Sequence, residues 1–460
     1  MVEGRTYKPV ILADRCDTCG VCLRECPAEI TPEYRKETSS LRGAVYSGKM
    51  KTLPPLDATA YPPCQEACPI HQDTKGYAAL IARGRFSEAL ELIRASNPLP
   101  AICGYVCHHP CEEACVRGAV DQPVPLRLLK RFVAEYEGKE SPTTFKKPAR
   151  RKGKVLVAGS GPAGLAAAND LSLLGYRVTV MEALPVLGGM LTVGIPEFRL
   201  PREIIQAEIR RIQNSGVEMK TNSPFRLDGG AKSLSALGYD AAFLAFGAHR
   251  SAKLGIPGEE RKGIWYGVEF LREVNLGRKP ELGKKIAVIG GGNVAVDAAR
   301  TARRLGAKEV EIYYRRSKKE MPAIPEEVDE ALREGVRIHF QTAPVEIKGK
   351  AGKTAVMEFS RMKLGQPDET GRRRPVPIAG SGFRVQADAV IAAIGQRMDR
   401  KQLKGLDLNQ DGTICVNSAT GLTCLPGIFA GGDAVTGPGW AIDAVRAGKK
   451  AAQSIHRYLS

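Results

Sequence analysis

The fold class this sequence predicts is α/β: two doubly wound units behind a mainly α-helical, cysteine-rich segment. Three observations carry that reading. KVLVAGSGPAGLAAANDLSLLGYRVTVMEA (154–183) and KKIAVIGGGNVAVDAARTARRLGAKEVEIYYRRS (284–317) each set a glycine loop between an apolar strand and a helix, with another strand behind. TCLPGIFAGGDAVTGPGWAIDAVRAGKKAAQSI (423–455) repeats strand, Gly431-Gly432-Asp433 and helix. Ten of the 12 cysteines fall in the first 115 residues, six of them around a helical pattern.

In chain order, the run RCDTCGVCLRECP (15–27) has the C-x2-C-x2-C-x3-C-P spacing of an iron–sulfur protein, in which three thiolates hold one cluster and the fourth reaches another. Cys16, Cys19 and Cys22 then want a fourth ligand, and Cys26 wants a cluster. PPCQEACPIH adds Cys64 and Cys68; CGYVCHHPCEEAC adds Cys103, Cys107, Cys111 and Cys115. That every-fourth spacing suits a helical stripe of small buried residues, but Gly104 and Pro110 are expected to interrupt the helix, and thiolates are costly in a core without metal. Zinc is a second competitor, without the paired C-x2-C knuckles it commonly uses. Iron–sulfur ligation is the reading kept. His108 and His109 are expected to hydrogen-bond beside the ligands, His249 to be structural, and Cys415 and Cys424 to pack in strands. YAALIARGRFSEALELIRASNPLP and VPLRLLKRFVAEYEG read as helices, and KKPARRKGK (146–154) as a solvated linker.

A chain of 460 residues with 43% hydrophobic and 26% charged residues is ordinary for a globular protein of several domains. The opening MVEGRTYKPVILADRC has no apolar signal core, and no stretch reaches about 18 consecutive apolar residues. The expectation is a cytoplasmic protein without membrane insertion, whose clustered cysteines are ligands rather than disulfides. The formal charge of +18 comes with no nucleic-acid-binding motif, and thiolate-bound clusters bring negative charge that the count omits. Docking to an acidic redox partner is the surviving use for it.

Gly159, Gly161 and Gly164 form GxGxxG, and Pro162 and Ala163 open the helix. Small residues let the backbone approach a pyrophosphate, to which the helix N-terminus offers free N–H groups. Glu182, 18 residues past Gly164, ends the next strand, where it can accept from ribose hydroxyls. The second loop is GxGxxA: Gly290, Gly292 and Ala295, with Asn293 and Val294 between. Its next strand ends in Arg315 and Arg316, which match a 2′-phosphate in charge and geometry. One loop is thus expected to take an unphosphorylated ribose and the other a phosphorylated one, as in a chain passing hydride between two dinucleotides.

GSGPAGLAAA, VLGGML, GIPEFRLP, IGGGNVAVDAAR, YYRRSKKEMPA and GIFAGGDAVTGPGWAIDAVRAGKKAA, in this order, resemble the small subunit of glutamate synthase. They are also similar to the flavin half of dihydropyrimidine dehydrogenase and to the large subunit of bifurcating ferredoxin–NADP oxidoreductases. The resemblance covers roughly residues 60–460. It implies two Rossmann-like domains, an FAD domain (151–270 and 386–460) interrupted by an NADPH domain (271–385), behind a helical iron–sulfur domain (61–150). The segment 1–60, with its ferredoxin-like run, is an addition. On this resemblance Glu182 holds the adenosine ribose of FAD. Gly189, Met190 and Arg199 line the flavin, Gly432 and Asp433 bind the ribityl–phosphate part, and the helix from Trp440 and Ala441 points at the isoalloxazine. Gly395 joins the NADPH site.

The resemblance also implies one [4Fe–4S] centre at Cys68, Cys107, Cys111 and Cys115. A second centre in the relatives uses a C-x2-C pair where this chain has DATAYPP. The expectation is an N-terminal centre at Cys16, Cys19 and Cys22, completed by Cys26 or Cys64, with Cys103 joining a further one. Residues 116–414 contain no cysteine, so reduced flavin has no disulfide to attack there. The function expected is an electron-transfer subunit that exchanges hydride between NADP(H) and FAD. It would trade single electrons through at least two [4Fe–4S] clusters with a partner subunit or ferredoxin. The alternative is a glutamate synthase small subunit feeding a glutaminase-bearing partner.

Overall fold

The computed structural model describes residues 61–137, 153–227, 231–349, 355–368, 371–399 and 403–460. Cys16, Cys19, Cys22 and Cys26 lie outside these residues. The chain divides into two compact units, Met1–Thr143 and Thr144–Ser460.

In the first unit the described residues form helices α1 (Pro63–Glu66), α2 (Thr74–Ala82), α3 (Phe86–Ser96), α4 (Pro100–Val106), α5 (Pro110–Glu113) and α6 (Leu126–Glu137). Asp73 caps α2 by accepting from Gly76 N–H at 2.8 Å. The long helical pattern of 77–100 is broken at Gly84, whose φ of +71° turns the chain between α2 and α3. Tyr77, Ala89, Leu90, Ile93, Leu126 and Val133 form the core with Cys111. Burying each large apolar side chain contributes about 2 kcal/mol. Gln72 is buried too, its amide donating to Ile93 O at 3.0 Å and to Ser96 Oγ at 2.8 Å. Gly104 does not interrupt its helix. It lies inside α4, because a Cβ there would stand 2.7 Å from Arg131 Cα of α6, and the missing side chain lets the two helices close. The break comes instead at Cys107, which turns extended, and at His109, with φ +47°.

The second unit contains two parallel five-stranded sheets. The first has the order β16-β4-β1-β2-β3, from β1 (Lys154–Ala158), β2 (Arg177–Met181), β3 (Glu218–Lys220), β4 (Ala241–Leu244) and β16 (Ile428–Ala430). The second has the order β6-β14-β7-β8-β9, from β6 (Ile264–Tyr266), β7 (Lys285–Ile289), β8 (Glu309–Tyr313), β9 (Arg337–His339) and β14 (Ala389–Ala392). Strands β1 and β7 read as continuous apolar runs because each is buried between neighbours and helices. In both sheets the chain order reverses beside that central strand, which opens a crevice at its C-terminal end. Helices α7 (Pro162–Leu173), α8 (Gly267–Asn275), α9 (Asn293–Arg304), α10 (Pro325–Arg333) and α11 (Ala441–Leu459) cover them.

An antiparallel group, β10 (Thr342–Lys348), β11 (Ala355–Pro367), β12 (Arg373–Pro377) and β13 (Phe383–Ala387), extends from the second sheet. Two crossings join the sheets, and they pair with each other as β5 (Arg250–Ser251) and β15 (Gln396–Arg397). Strands β6 and β14 belong to the second sheet although both lie outside 271–385. Parallel strands want neighbours on each side, and a reading from the glycine loop sees only β7 and β8. Among the described residues no helix is long and apolar enough to cross a membrane.

Candidate cofactor sites

The two glycine loops are built alike, residue by residue. Gly159 has φ +109° and Gly290 φ +145°, both in the region that favours glycine. A Cβ at either would run into the carbonyl oxygen of the adjoining strand end, Ala245 or Ala393. At Gly161 and Gly292 a Cβ would meet no atom within 4 Å, so the second glycine of each loop faces open space at the helix N-terminus. A Cβ at Gly164 would strike Gly159 O, so that glycine lets α7 lie against β1. Ala295 fills the matching place on α9, fully buried.

Around the first loop, Glu182 is buried at the end of β2. Its Oε2 accepts from Ser160 N–H at 3.0 Å and from Ser160 Oγ–H at 2.6 Å, and its Oε1 accepts from Leu184 N–H at 2.9 Å. The carboxylate therefore fixes the loop's shape and keeps lone pairs for a further donor. Gly189, with φ +53°, folds onto Gly161: a Cβ there would stand 2.8 Å from Gly161 Cα. Met190 follows it. On the other side Gly432 turns with φ +66° and abuts Ala163, where a Cβ would stand 3.0 Å from the Ala163 Cβ. Helix α11, opened by Trp440 without a side-chain cap, packs along α7 with Gly448 against the Ala163 carbonyl. Farther on Lys449 pairs with Asp170 at 2.8 Å, and Tyr176 bonds His456 at 2.9 Å. The helices run in the same direction, so two N-termini present their dipoles at one end.

Asp433 sits there, accepting from Gly439 N–H at 3.2 Å. Burial pushes its carboxyl up to about 6, against that hydrogen bond and with help from Asp443. The unfolded chain ionises this group near the ordinary 3.8, so folding holds a proton that the unfolded state has lost between those values. Stability is thus expected to fall as pH rises from about 4 to 6 and to stay lowered above. Asp433→Asn should make the flavin-free chain more stable at pH 7 by about 3 kcal/mol, with the difference gone below pH 4. Urea melts at both pH values check this.

Around the second loop the structure divides the arginine pair. Arg316 is buried and committed: Nη2 donates to Asp368 at 2.7 Å and Nε to Arg373 O at 2.8 Å, which ties the end of β8 to the β11–β12 hairpin. Arg315 is exposed, and no carboxylate among the described residues ion-pairs with it. Partial desolvation, Arg316 and Arg372 together hold its guanidinium below the usual arginine range, the mark of a crowded cation. Tyr314 lays its ring where a Cβ of Gly291 would be and donates to Glu320 O at 2.7 Å. Asn293 Oδ1 accepts from Ile324 N–H at 3.0 Å, and Val294 packs against Gly267. Gly395 lies in the crossing after β14, accepting from Ala252 N–H at 2.9 Å.

Arg199, expected to line the flavin, gives its buried guanidinium to the second domain: Nη1 pairs with Asp297 at 2.7 Å and Nε with Glu327 at 2.9 Å. Phe198 beside it stacks under Arg300 and Arg304 of α9, at 4.8 and 4.0 Å. Sequence patterns did not show this clamp, since its carboxylates lie 98 or more residues away from Arg199. His249 is half-buried, and desolvation, with Arg272 beside it, lowers its pKa. Cys415 and Cys424, expected to be packing residues, are exposed. They lie in loops, outside any strand.

In the first unit Cys68, Cys103, Cys107 and Cys111 are buried, while Cys64 and Cys115 are partly so. Cys68, Cys107 and Cys111 share surroundings: all three act on Tyr77 and on Lys130. Burial pushes the Cys111 thiol up to about 12. Cys107 Sγ accepts from His109 N–H at 3.4 Å, a bond suited to a thiolate. Cys103 instead donates to Asn97 Oδ1 at 3.8 Å, which a metal-bound sulfur could not do. Cys115 lies beside Arg117. Among the described residues no three His, Cys, Asp or Glu side chains meet around one ion. A [4Fe–4S] cube takes each thiolate on a separate iron, so its ligands stand farther apart than those of a single ion. Cys68, Cys107 and Cys111, buried together with the Lys130 ammonium, form a donor set that fits such a group. The buried Lys130 was the signal missed in the sequence, standing on the apolar face of its helix.

Two dinucleotide loops on interrupted parallel sheets, together with a cysteine domain, define an FAD- and NADP(H)-binding, iron–sulfur oxidoreductase. Residues 153–448 match the model of the pyridine nucleotide-disulphide oxidoreductases, and 58–141 match dihydropyrimidine dehydrogenase domain II, 4Fe-4S cluster. The chain belongs to the pyridine nucleotide-disulphide oxidoreductase family. It is 46% identical over 423 residues to the NADP(+)-dependent formate dehydrogenase subunit beta of Moorella thermoacetica, covering 86% of this chain and 60% of that protein. It is 42% identical over 428 residues to the NADPH-Fe(3+) oxidoreductase subunit beta of Geobacter sulfurreducens, covering 86% and 63%. The chain thus spans under two thirds of the length of both. With the glutamate synthase [NADPH] small chain of Escherichia coli it shares 34% identity, covering 86% and 89%. Mycobacterium tuberculosis FprA in complex with NADPH has the same fold over 67% of this chain and 85% of its own, with TM-score 0.57 and 22% identity.

Proposed function

We propose that this chain is the NADPH-linked subunit of a cytoplasmic electron-transfer complex, drawing on NADPH at the second loop and delivering single electrons through its cysteine domain to a partner subunit or ferredoxin. The observation that carries the reading is the coexistence of two differently ended loops: a buried carboxylate, Glu182, after one and, after the other, an exposed guanidinium, Arg315, that no carboxylate among the described residues ion-pairs. A bound FAD would supply the exchange between a two-electron nicotinamide and one-electron iron–sulfur carriers. The chain's own part is placement. Gly161 and Gly292 leave room for the two pyrophosphates, Glu182 takes the FAD ribose, and Arg315 takes the 2′-phosphate. The N-termini of α7 and α11, turned toward the same end, favour negative charge there. Cys68, Cys107, Cys111 and Cys115 are the proposed ligands of one cluster, and Cys16, Cys19 and Cys22 with Cys26 or Cys64 those of another. The proposed domains are 151–270 with 386–460 for FAD and 271–385 for NADPH, with β6 and β14 transferred from the first to the second because they pair in its sheet.

The β subunits of the formate dehydrogenase and the Fe(3+) oxidoreductase are more similar to this chain than the glutamate synthase small chain is, which favours a general electron-transfer role over a glutaminase-bearing partner. Anaerobically purified chain should carry FAD rather than FMN and at least about eight iron and eight sulfide, on four-thiolate arithmetic. NADPH should bleach the flavin, and reduction should raise a low-temperature EPR signal. Stoichiometric zinc without that signal would overturn the cluster part. Flavin that NADH reduces as readily as NADPH would overturn the nucleotide part. Co-purification with a glutaminase-bearing subunit would move the assignment to the alternative.

A further inference from the structure

Lys130 lies on the inward face of α6. Leu126, one turn before it, and Val133, three residues after it, both belong to the buried cluster that holds Cys111 and Tyr77. Lys130 itself is 5% exposed. Helix α4, which carries Cys103 and ends at Cys107, runs against α6 at the closest approach Gly104 permits. The neighbouring cations are otherwise engaged. Arg131 pairs with Glu135 at 2.8 Å and stacks on Tyr105 at 3.7 Å, while Arg127 reaches toward Cys107 O at 3.5 Å. Among the described residues no carboxylate ion-pairs with Lys130. The groups its charge acts on are the thiols of Cys103, Cys107, Cys68 and Cys111.

An ammonium taken out of water without a counter-charge is strongly unfavourable. Neutral thiols do not supply one. Thiolates on an iron–sulfur cluster do. We propose that Lys130 is the built-in counter-charge of an anionic iron–sulfur cluster held by Cys68, Cys107 and Cys111, and that it raises that cluster's reduction potential. This rests on the assignment of those cysteines as ligands. Reduction adds one electron to the cluster, and no bond to Lys130 forms or breaks. A fixed positive charge in a low-dielectric surround favours the state with the extra negative charge.

The test uses the full chain, purified anaerobically and titrated by EPR, with Cys107→Ser identifying this centre by the signal it removes. Lys130→Met should keep iron, sulfide and the signal, with the reduced-to-oxidised ratio at a given potential at least tenfold lower, a shift of about 59 mV for one electron. Lys130→Arg should restore most of it. In cluster-free chain, stripped by chelator, Lys130→Met should be at least as stable as wild type in urea melts, because it removes an uncompensated charge. A Lys130→Met chain that folds equally well without cluster but cannot assemble one also supports the proposal. An unchanged potential with normal cluster content overturns it. So does a cluster-free Lys130→Met chain less stable than wild type, which would make the lysine a packing residue. If Cys107→Ser removes no signal and no iron, the ligand assignment fails first and the proposal goes with it; iron analysis separates that result from the others.

Discussion

Arg315→Ala should raise the KM for NADPH at least tenfold while leaving NADH turnover nearly unchanged. The guanidinium follows β8 beside the GxGxxA loop, is exposed, and is not ion-paired by any carboxylate among the described residues. Arg316 and Arg372 stand close enough to depress it further. A 2′-phosphate offers this exposed guanidinium charge-assisted hydrogen bonds that a hydroxyl cannot. Losing one such bond costs about 1.5–3 kcal/mol, or one to two decades in affinity. Steady-state kinetics with both nucleotides decide the matter: a variant that keeps its NADPH preference sinks the assignment.

Arg316→Ala should behave differently, although the two residues are adjacent and looked equivalent in sequence. Its guanidinium ties β8 to Asp368 and to the Arg373 carbonyl, both on the hairpin. Removing one partner of a buried pair costs about 3 kcal/mol. The expected result is a lower melting temperature with a smaller change in the NADPH to NADH ratio of kcat/KM. If the two variants instead shift that ratio equally, Arg316 touches the nucleotide as well.

This pair shows where sequence reading stops. The loops, their strands and Glu182 were legible because each rests on local spacing: a strand, a turn needing φ > 0 at Gly159 or Gly290, then a helix. The apolar runs of β1 and β7 are likewise local. Partners brought together from 50 to 100 residues apart were not legible. Asp368 claims Arg316, and Asp297 claims Arg199, through contacts that no periodicity encodes. That β6 and β14 join the second sheet was not legible for the same reason, since β14 pairs with β7 and with β6 only in three dimensions. In the first unit the break at Gly84 stood in the sequence as a glycine within a helical pattern. That Gly104 would sit inside a helix could not be read there, because its reason is the backbone of Arg131.

Gly161→Val and Gly292→Val should separate the two nucleotide sites with the largest effects of any substitution considered. Gly161 has φ −67° and ψ −179°, and Gly292 has φ −92° and ψ 176°, ordinary extended backbone that valine accepts without strain. A Cβ at either position meets nothing within 4 Å. Neither glycine is therefore required by the fold. What the missing side chain leaves open is the approach to the helix N-terminus, where a pyrophosphate would lie against free N–H groups. Isopropyl bulk there should leave melting nearly unchanged. Gly161→Val should purify colourless and bind no added FAD. Gly292→Val should keep its flavin, reducible by dithionite, and lose reduction by NADPH. The contrasting control is Gly159→Ala, where φ +109° and the Ala245 carbonyl both oppose a side chain, so stability and flavin should fall together. A yellow, NADPH-responsive Gly161→Val chain would mean that the first loop does not hold a dinucleotide. Flavin lost from Gly292→Val would mean that the two loops do not serve separate ligands.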